Sequence, residues 1–411
     1  MGTAREAIGQ RSETVHRANL AAIATQLHLD GPLSRSELVT RTGLTRSAIR
    51  GLIGEFVSVN LVSEERAGSL GVPGRPSPVV RPNPWGAAVL ALEISVDSLA
   101  ACIVGFGGTV HESVRVERPR GHLRASDIVG DLVELASPLL QRVPASTRLI
   151  GVGVAVVGIV RRGDGMVRLA PNLGWRDVPL GRLLTDALGV SVPLIVANDA
   201  DLGVLAEHRR GVARDVDDAV YIAGEVGVGG GVLTGGRPLD GAEGYAGEVG
   251  HLPVNPGGRI CGCGARGCWE TEVGEHALLL AAGRAADGGP LQVGELLDDA
   301  ERGDAAALAA LREVGEWLGI GIASIVNVFN PRLVILGGLF DRIYPHVIEP
   351  IQSHLEGRAL VASREVVRIV RPTLGADTVL IGAAELAFEP FIQDPAAQFA
   401  PRVGEVQLAS A

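Results

Sequence analysis

Lysine is absent from this chain. All 37 basic residues are arginine, and no function follows from that choice alone. Aromatic residues make up only 3% of the 411 residues, against 56 glycines, so the packing must rely on Ala, Val and Leu and the turns must be many and tight. Long apolar runs are missing as well. The longest, "LIGVGVAVVGIV" at 149–160, is too short and too rich in glycine to cross a bilayer and reads as a buried strand. The opening "MGTAREAIGQRSETVHRANL" has no apolar segment of the kind that directs secretion, so the expectation is a soluble cytoplasmic protein with no membrane partner.

Cysteine is scarce too. There are four, yet Cys261, Cys263 and Cys268 crowd into "GEVGHLPVNPGGRICGCGARGCWE" (247–270), just after His251. Disulfides fit this poorly: cytosolic thiols stay reduced, three cysteines cannot all pair, and Cys102 lies far off in an apolar run. Zinc fits better. It takes four nitrogen or sulfur ligands at tetrahedral positions, and His251, Cys261, Cys263 and Cys268 supply them in a glycine-rich loop. The spacing is not that of a standard zinc finger. With all four positions filled by protein, the site would be closed and structural.

Charge is unevenly spread. Residues 1–84 carry ten arginines against seven acids, whereas the remainder carries 27 against 40. An acidic body repels nucleic acid, so any DNA contact belongs in the first segment. That segment has three helical patterns. Leu20, Ile23, Ala24 and Leu27 mark one apolar face. Ser34 and Glu37 form a capping box for a second helix. Gly43 turns the chain, and Thr45 caps a third helix that buries Ala48, Ile49, Leu52, Ile53 and Phe56. Arg46, Ser47 and Arg50 lie on its other face, types suited to base edges and phosphates. Ser34, Arg35 and Thr45, at the helix starts, join the DNA-contacting candidates. A strand at "NLVSEE" and a Gly/Pro turn around Arg75 complete the order of a winged helix-turn-helix, Arg75 reaching for a minor groove. The boundaries are 1–72 for this domain and 73–84 for a Pro-rich linker. The alternative is a helical appendage with ordinary surface charge.

From Trp85 the chain alternates strand-like runs ("AAVLALEIS", "LAACIVGF", "LIGVGVAVVG", "PLIVANDA", "AVYIAGE", "RLVILGG") with helical patterns such as 127–143 and 307–329, an α/β body of two lobes. "IVANDAD" (195–201), "GVGGGV" (227–232), "GYAGEVGH" (244–251), "CGCGARGCWE" (261–270) and "NPRLVILGG" (330–338) follow in an order that resembles the ROK family of repressors and sugar kinases. The leading helices resemble its repressor branch, the xylose-repressor-like proteins. The resemblance implies an actin-like (ribonuclease-H-like) sugar kinase fold of two α/β lobes: 85–198, then 199–388 with the zinc loop, the last helix returning to the first lobe, and a tail at 389–411. It also implies a zinc loop beside a sugar site. Matched residue by residue, Asn198 and Asp199, Glu248 and His251, and Glu270 are the sugar-binding candidates, with Asn172 of "PNLGW" a further one. Hydroxyls both donate and accept, so such a set binds them directionally.

Kinases of that family read Asp-x-Gly-Gly-Thr and Gly-Thr-Gly where ATP phosphates approach. This chain has "EISVD" (93–97) and "EVG" (225–227), which place side chains and acids in the phosphate path. The expectation is therefore not an enzyme but a sugar-responsive DNA-binding regulator, a repressor of carbohydrate-metabolism genes such as those for xylose. Its partners would be operator DNA and a monosaccharide or sugar phosphate effector, and it would act as a homodimer or homotetramer. The alternative is an active sugar kinase carrying a DNA-binding head.

Overall fold

Capping chemistry sets the first elements. The structure, a computed structural model, describes residues 3–65, 77–121 and 123–399. The head comprises α1 (Thr3–Asp30), β1 (Leu33–Ser34), α2 (Arg35–Thr42), α3 (Arg46–Ser58), β2 (Val62–Glu65) and β3 (Val79–Pro82). Ser34 and Glu37 make the reciprocal capping box of α2, and Gly43 ends that helix in the left-handed region at φ 70°. The Thr45 hydroxyl accepts from the Ala48 amide to start α3. Leu20, Ile23, Ala24 and Leu27 of α1 and Ile49, Leu52, Ile53 and Phe56 of α3 are all buried in one core.

One expectation for this region needs correction. Residues 73–84 are not a plain linker, because Val79–Pro82 form β3, the middle strand of the order β1-β3-β2. β3 pairs antiparallel with β2, Val62 opposite Pro82 and Glu65 opposite Val79. The Gly/Pro turn that joins them, with Arg75, lies outside the described residues.

The first lobe holds β4 (Ala87–Ile94), β5 (Ser98–Gly105), β6 (Thr109–Glu117), α4 (Ala125–Arg142) and β7 (Arg148–Val156). A small hairpin sheet of β8 (Ile159–Arg161), β9 (Met166–Ala170) and β10 (Trp175–Val178) follows, then α5 (Leu180–Leu188) and β11 (Leu194–Asn198). Its main sheet runs β11-β7-β4-β5-β6, with β4, β7 and β11 parallel. After α6 (Asp199–Arg210) the second lobe begins with β12 (Ala219–Gly224), β13 (Val228–Thr234) and β14 (Arg237–Pro238). Short helices α7 (Glu270–Val273), α8 (Glu275–Ala281) and α9 (Gly289–Glu301) lead to α10 (Ala305–Phe329), β15 (Leu333–Gly338), α11 (Leu339–Arg358), α12 (Val361–Val366) and β16 (Arg368–Val370). Its sheet runs β14-β13-β12-β15-β16. The chain then returns through α13 (Thr378–Gln393) to pack on β4 and β7 of the first lobe, and ends its described part with α14 (Pro395–Phe399). Glycine in β7 permits that approach: a Cβ on Gly153 would strike the Ala383 carbonyl.

Residues 389–399, the first part of the segment read as a tail, are helical on either side of Asp394 and packed. Phe391 is buried, and its ring meets Phe106 and Phe399 edge-on at 5.9 and 5.6 Å. Aromatic anchors of this kind hold a segment whose own periodicity is weak.

Helix α6 belongs to both halves. Leu202 and Leu205 enter the core shared by the head and first lobe, whereas Ala200 and Val204 enter a core of the second lobe. Its last residue, Arg210, reaches the head. The Arg210 Nε donates to Glu385 of α13 at 2.6 Å, and Nη1 donates to the His28 carbonyl of α1 at 3.1 Å. The His28 ring is fully buried, 4.5 Å from the Phe388 ring and 3.2 Å from the Glu385 carboxylate. Nearby, Asp30 of α1 takes Arg214 from the segment after α6 and Arg41 of α2, each at 2.5 Å. No helix among the described residues is long and apolar enough to cross a membrane.

Candidate functional site

The end of β11 carries the chain from one lobe to the other at Asn198. That residue caps α6: its Oδ1 accepts from the amides of Ala200 and Asp201 at 2.8 and 3.2 Å, while Nδ2 donates to the Gly158 carbonyl at 3.0 Å. One amide hydrogen remains free for a ligand. Asp199, the first residue of the helix, faces a cleft of about 410 Å³ between the lobes. Glycine lets α6 sit against β13, since a Cβ on Gly231 would meet the Ala200 carbonyl. The cleft is lined by all six sugar-binding candidates: Asn172, Asn198, Asp199, Glu248, His251 and Glu270.

Glu225, Arg259 and His276 line it as well, and were not read as site residues from the sequence. Glu225 stood out only as an acid in a glycine turn, and nothing local marks Arg259 or His276. Burial pushes the carboxyls of Asp199 and Glu225 up; the charges of Glu93 and Glu248 add to the shift of Asp199, and those of Asp199, Glu93 and Asp97 to that of Glu225. Burial also raises Glu248, partly offset by His251. The cleft thus gathers carboxyl groups that hold protons more readily than exposed ones, beside amide and imidazole donors.

His251 ends a short turn, Val249–His251, and its two ring nitrogens face different ways. Nδ1 lies 3.6 Å from the Cys261 sulfur and Nε2 lies 3.9 Å from the Glu248 carboxylate. The Cys263 and Cys268 sulfurs are 3.7 Å apart, far beyond a covalent bond, and all the cysteines are free. The four candidate ligand atoms of His251, Cys261, Cys263 and Cys268 lie within 4.8 Å of one another. A tetrahedral zinc with Zn–S near 2.3 Å and Zn–N near 2.0–2.1 Å has edges of about 3.8 Å between sulfurs and about 3.6 Å from sulfur to nitrogen. The two close pairs match those edges, so the donor set fits such an ion.

The loop is braced from outside. Trp269, fully buried, donates from its indole to the Trp317 carbonyl at 2.8 Å, and its amide donates to Leu252 at 2.8 Å. Glu270 stands between cluster and cleft, its Oε1 2.7 Å from the Cys261 sulfur.

The head presents a second candidate surface. Thr45, Arg46, Ser47 and Arg50 are exposed on α3, and neither Arg46 nor Arg50 makes an ion pair among the described residues. Two other candidates are already engaged. The Ser34 hydroxyl caps α2, and Arg35 is held by Glu64 of β2 through two contacts of 2.5 Å. Arg75 lies outside the described residues.

The profile of the ROK family matches residues 89–389. The xylose repressor of Bacillus spizizenii is 28% identical over 382 residues, covering 92% of this chain and 97% of that protein. A crystal structure of a ROK family transcriptional regulator, a homologue of the E. coli MLC protein, superimposes with a TM-score of 0.75 at 25% identity, covering 92% of this chain and 97% of the other. A ROK family glucokinase from Streptomyces griseus, solved with glucose and AMPPNP, gives a TM-score of 0.65 at 28% identity and covers 74% of this chain and 99% of its own. With the family profile spanning most of its length and relatives aligned end to end, this chain belongs to the ROK family.

Proposed function

We propose that this protein is a sugar-responsive transcriptional repressor, with a winged helix-turn-helix head that binds operator DNA and a cleft that binds a monosaccharide. The observation that carries this reading is coverage: the repressor relatives match 92% of the chain, whereas the glucokinase structure matches only 74%. The difference is about the size of the head. Support from the head itself comes from α2 and α3 joined at Gly43, from Arg46 and Arg50 on α3, which make no ion pair among the described residues, and from the β2–β3 pair beside them. Two heads in a homodimer would read a palindromic site. A dimer of dimers would serve equally.

The body reads as a binding module, not a kinase. The Ser95 hydroxyl donates to Glu225 across the cleft at 3.2 Å, and Arg120 bridges Asp97 of the first lobe and Glu275 of the second at 2.9 and 2.5 Å. Residues standing where phosphate loops would be are thus paired with one another, and Val96 and Val226 add apolar side chains to the cleft. Zinc held by His251, Cys261, Cys263 and Cys268 would be closed and structural, keeping His251 Nε2 and Glu270 aimed at the sugar.

Helix α6 supplies the link between sites. It begins with Asn198 and Asp199 in the cleft and ends at Arg210 against His28 of the head, about 18 Å away for its twelve residues. A sugar that favours one lobe angle would move that end, and coupling of about 1–3 kcal/mol, or about 5–150-fold, is usual. The test is selection of duplexes from a random pool by the full-length protein, followed by mobility shifts of the enriched duplex with and without D-xylose or D-glucose. An enriched palindrome whose affinity shifts with sugar supports the reading. No enrichment, or ATP-dependent phosphorylation of either sugar, would put the kinase reading in its place.

A further inference from the structure

We infer that Arg120 is a positioning residue for the cleft: by bridging Asp97 of the first lobe and Glu275 of the second, it holds the lobes at the angle that brings the sugar-binding candidates together. The inference rests on the sugar-binding reading of the cleft and adds what fixes its shape. Those candidates come from both sides. Asn172 and Asn198 belong to the first lobe, whereas Glu248, His251 and Glu270 belong to the second, so the set is complete only at a suitable lobe angle. The described chain passes between the lobes twice, along α6 and again from β16 to α13. One side chain ties both passages. Glu207 of α6 is fully buried, and its carboxylate accepts from the Val212 amide at 2.8 Å, just after the helix, and from the Thr373 and Leu374 amides at 3.0 and 3.2 Å in the second passage. Passages fastened together act as a hinge, and the lobe angle is then limited by whatever crosses the cleft.

Arg120 is built to set that limit. Its Nη1 donates to one Glu275 oxygen at 2.5 Å and its Nη2 to the other at 3.0 Å, and Nη2 also reaches Asp97 at 2.9 Å. A planar guanidinium that grips a carboxylate through two donors resists rotation as well as separation. Both anchors are themselves fixed. The Glu275 amide donates to the Glu225 carbonyl at 2.9 Å, and the Asp97 carbonyl accepts from the Arg118 amide at 2.8 Å. The bridge stands at the cleft, because Val96 and His276, the chain neighbours of its two acids, line the cavity. It is also sheltered: the Glu275 side chain is 7% exposed and that of Arg120 is 23% exposed. A second ion pair between the lobes, Arg162 with Asp240, is 42% and 41% exposed, where water and salt weaken it. A lobe rotation that opened the cleft would pull the Arg120 fork from Glu275 and leave a buried carboxylate without its partner, so the bridge raises the share of molecules with the candidates assembled.

The experiment compares the full-length wild-type protein with Arg120→Met, Arg120→Lys and Glu275→Gln by calorimetric titration with D-xylose and D-glucose, and by small-angle X-ray scattering with and without the sugar that binds. A cleft that must first close binds with an affinity reduced by its closed fraction. Arg120→Met should therefore weaken sugar binding by about tenfold and enlarge the radius of gyration of the sugar-free protein, and saturating sugar should return that radius to the wild-type value. Glu275→Gln should act in the same direction and carries the test if Arg120→Met does not fold. Arg120→Lys, which keeps the charge without the fork, should fall between wild type and Arg120→Met. Variants that melt lower yet bind sugar and scatter like wild type overturn the inference, because Arg120 would then only stabilise the fold. If the wild type binds neither sugar, the sugar reading falls, and the scattering of the sugar-free variants still decides the bridge: a radius equal to that of wild type overturns it.

Discussion

Replacing Arg210 with Met tests the joint between body and head. Glu385 is 3% exposed, His28 is fully buried and Arg210 is 15% exposed, so the three side chains are nearly dry. Gly107 donates its amide to His28 Nδ1 at 3.1 Å, while Nε2 faces both the Glu385 carboxylate at 3.2 Å and the Arg210 Nη2 at 2.7 Å. Burial lowers the His28 pKa in spite of Glu385, so the ring is neutral and Arg210 is the cation that answers the carboxylate. Burial would raise Glu385, yet His28 and Arg210 together hold it down to about 2. Of the two, Arg210 is the permanent cation, because a guanidinium keeps its charge at any pH the protein meets. Removing one partner of a buried pair costs about 3–5 kcal/mol. At about 2.1 cal/mol/K of unfolding entropy per residue, a chain of 411 residues shifts by about 1.2 °C per kcal/mol, so the melting temperature should fall by roughly 3–6 °C. Adding Glu385→Leu to the same chain should restore part of the loss, because the uncompensated charge is then gone. Thermal melting followed by tryptophan fluorescence reads both. The pH dependence has a fixed sign. Unfolded His28 takes up a proton near its ordinary 6.5 while the folded ring refuses it, so its contribution is fully present above pH 6.5 and is lost as the pH falls toward the lower folded value. His28→Gln should remove that slope. A single Arg210→Met variant that melts like wild type, or a double variant whose loss is the sum of both singles, would refute the assignment of charge at this joint.

Three further outcomes follow from the sites. Arg50→Ala, which removes an exposed guanidinium with no partner among the described residues, should weaken DNA binding by about 1–3 kcal/mol and leave calorimetric sugar affinity as it was; an unchanged mobility shift would place the contact elsewhere. Asp199→Ala should abolish measurable sugar binding while DNA binding persists, and sugar binding within threefold of wild type, a difference of about 0.7 kcal/mol, would remove Asp199 from the ligand set. Cys263 is exposed, so Cys263→Ser without a metal would be nearly neutral, within about 0.5 kcal/mol. If the cysteine cluster holds zinc, the same change should lower metal content by elemental analysis and destabilise the loop strongly, since metal binding is folding free energy.

Much of this molecule is legible in short stretches of its sequence. The capping box of Ser34 and Glu37, the Thr45 cap and the Gly43 stop act within four residues, and each stands where local chemistry puts it. The runs at 87–95, 99–106, 149–158 and 219–225 became β4, β5, β7 and β12 because strand-forming residues need only their own pattern to be seen. The crowding of Cys261, Cys263 and Cys268 after His251 likewise announces a cluster, since loop length limits how far apart those side chains can lie. Other features exist only by long-range contact. A Pro-rich stretch becomes β3 because β1 and β2 flank it, and the stretch from 389 becomes helix because Phe391 finds Phe106 and Phe399. Arg35 looks available for DNA until Glu64, distant in sequence, closes on it. The meeting of Asp199 and Glu225 in one cleft, and α6 reaching from the sugar-binding candidates to His28, were decided by tertiary structure alone. Periodicity and capping are properties of neighbours along the chain, whereas charge pairing across a cleft depends on which distant segments the packed lobes bring within a few ångströms.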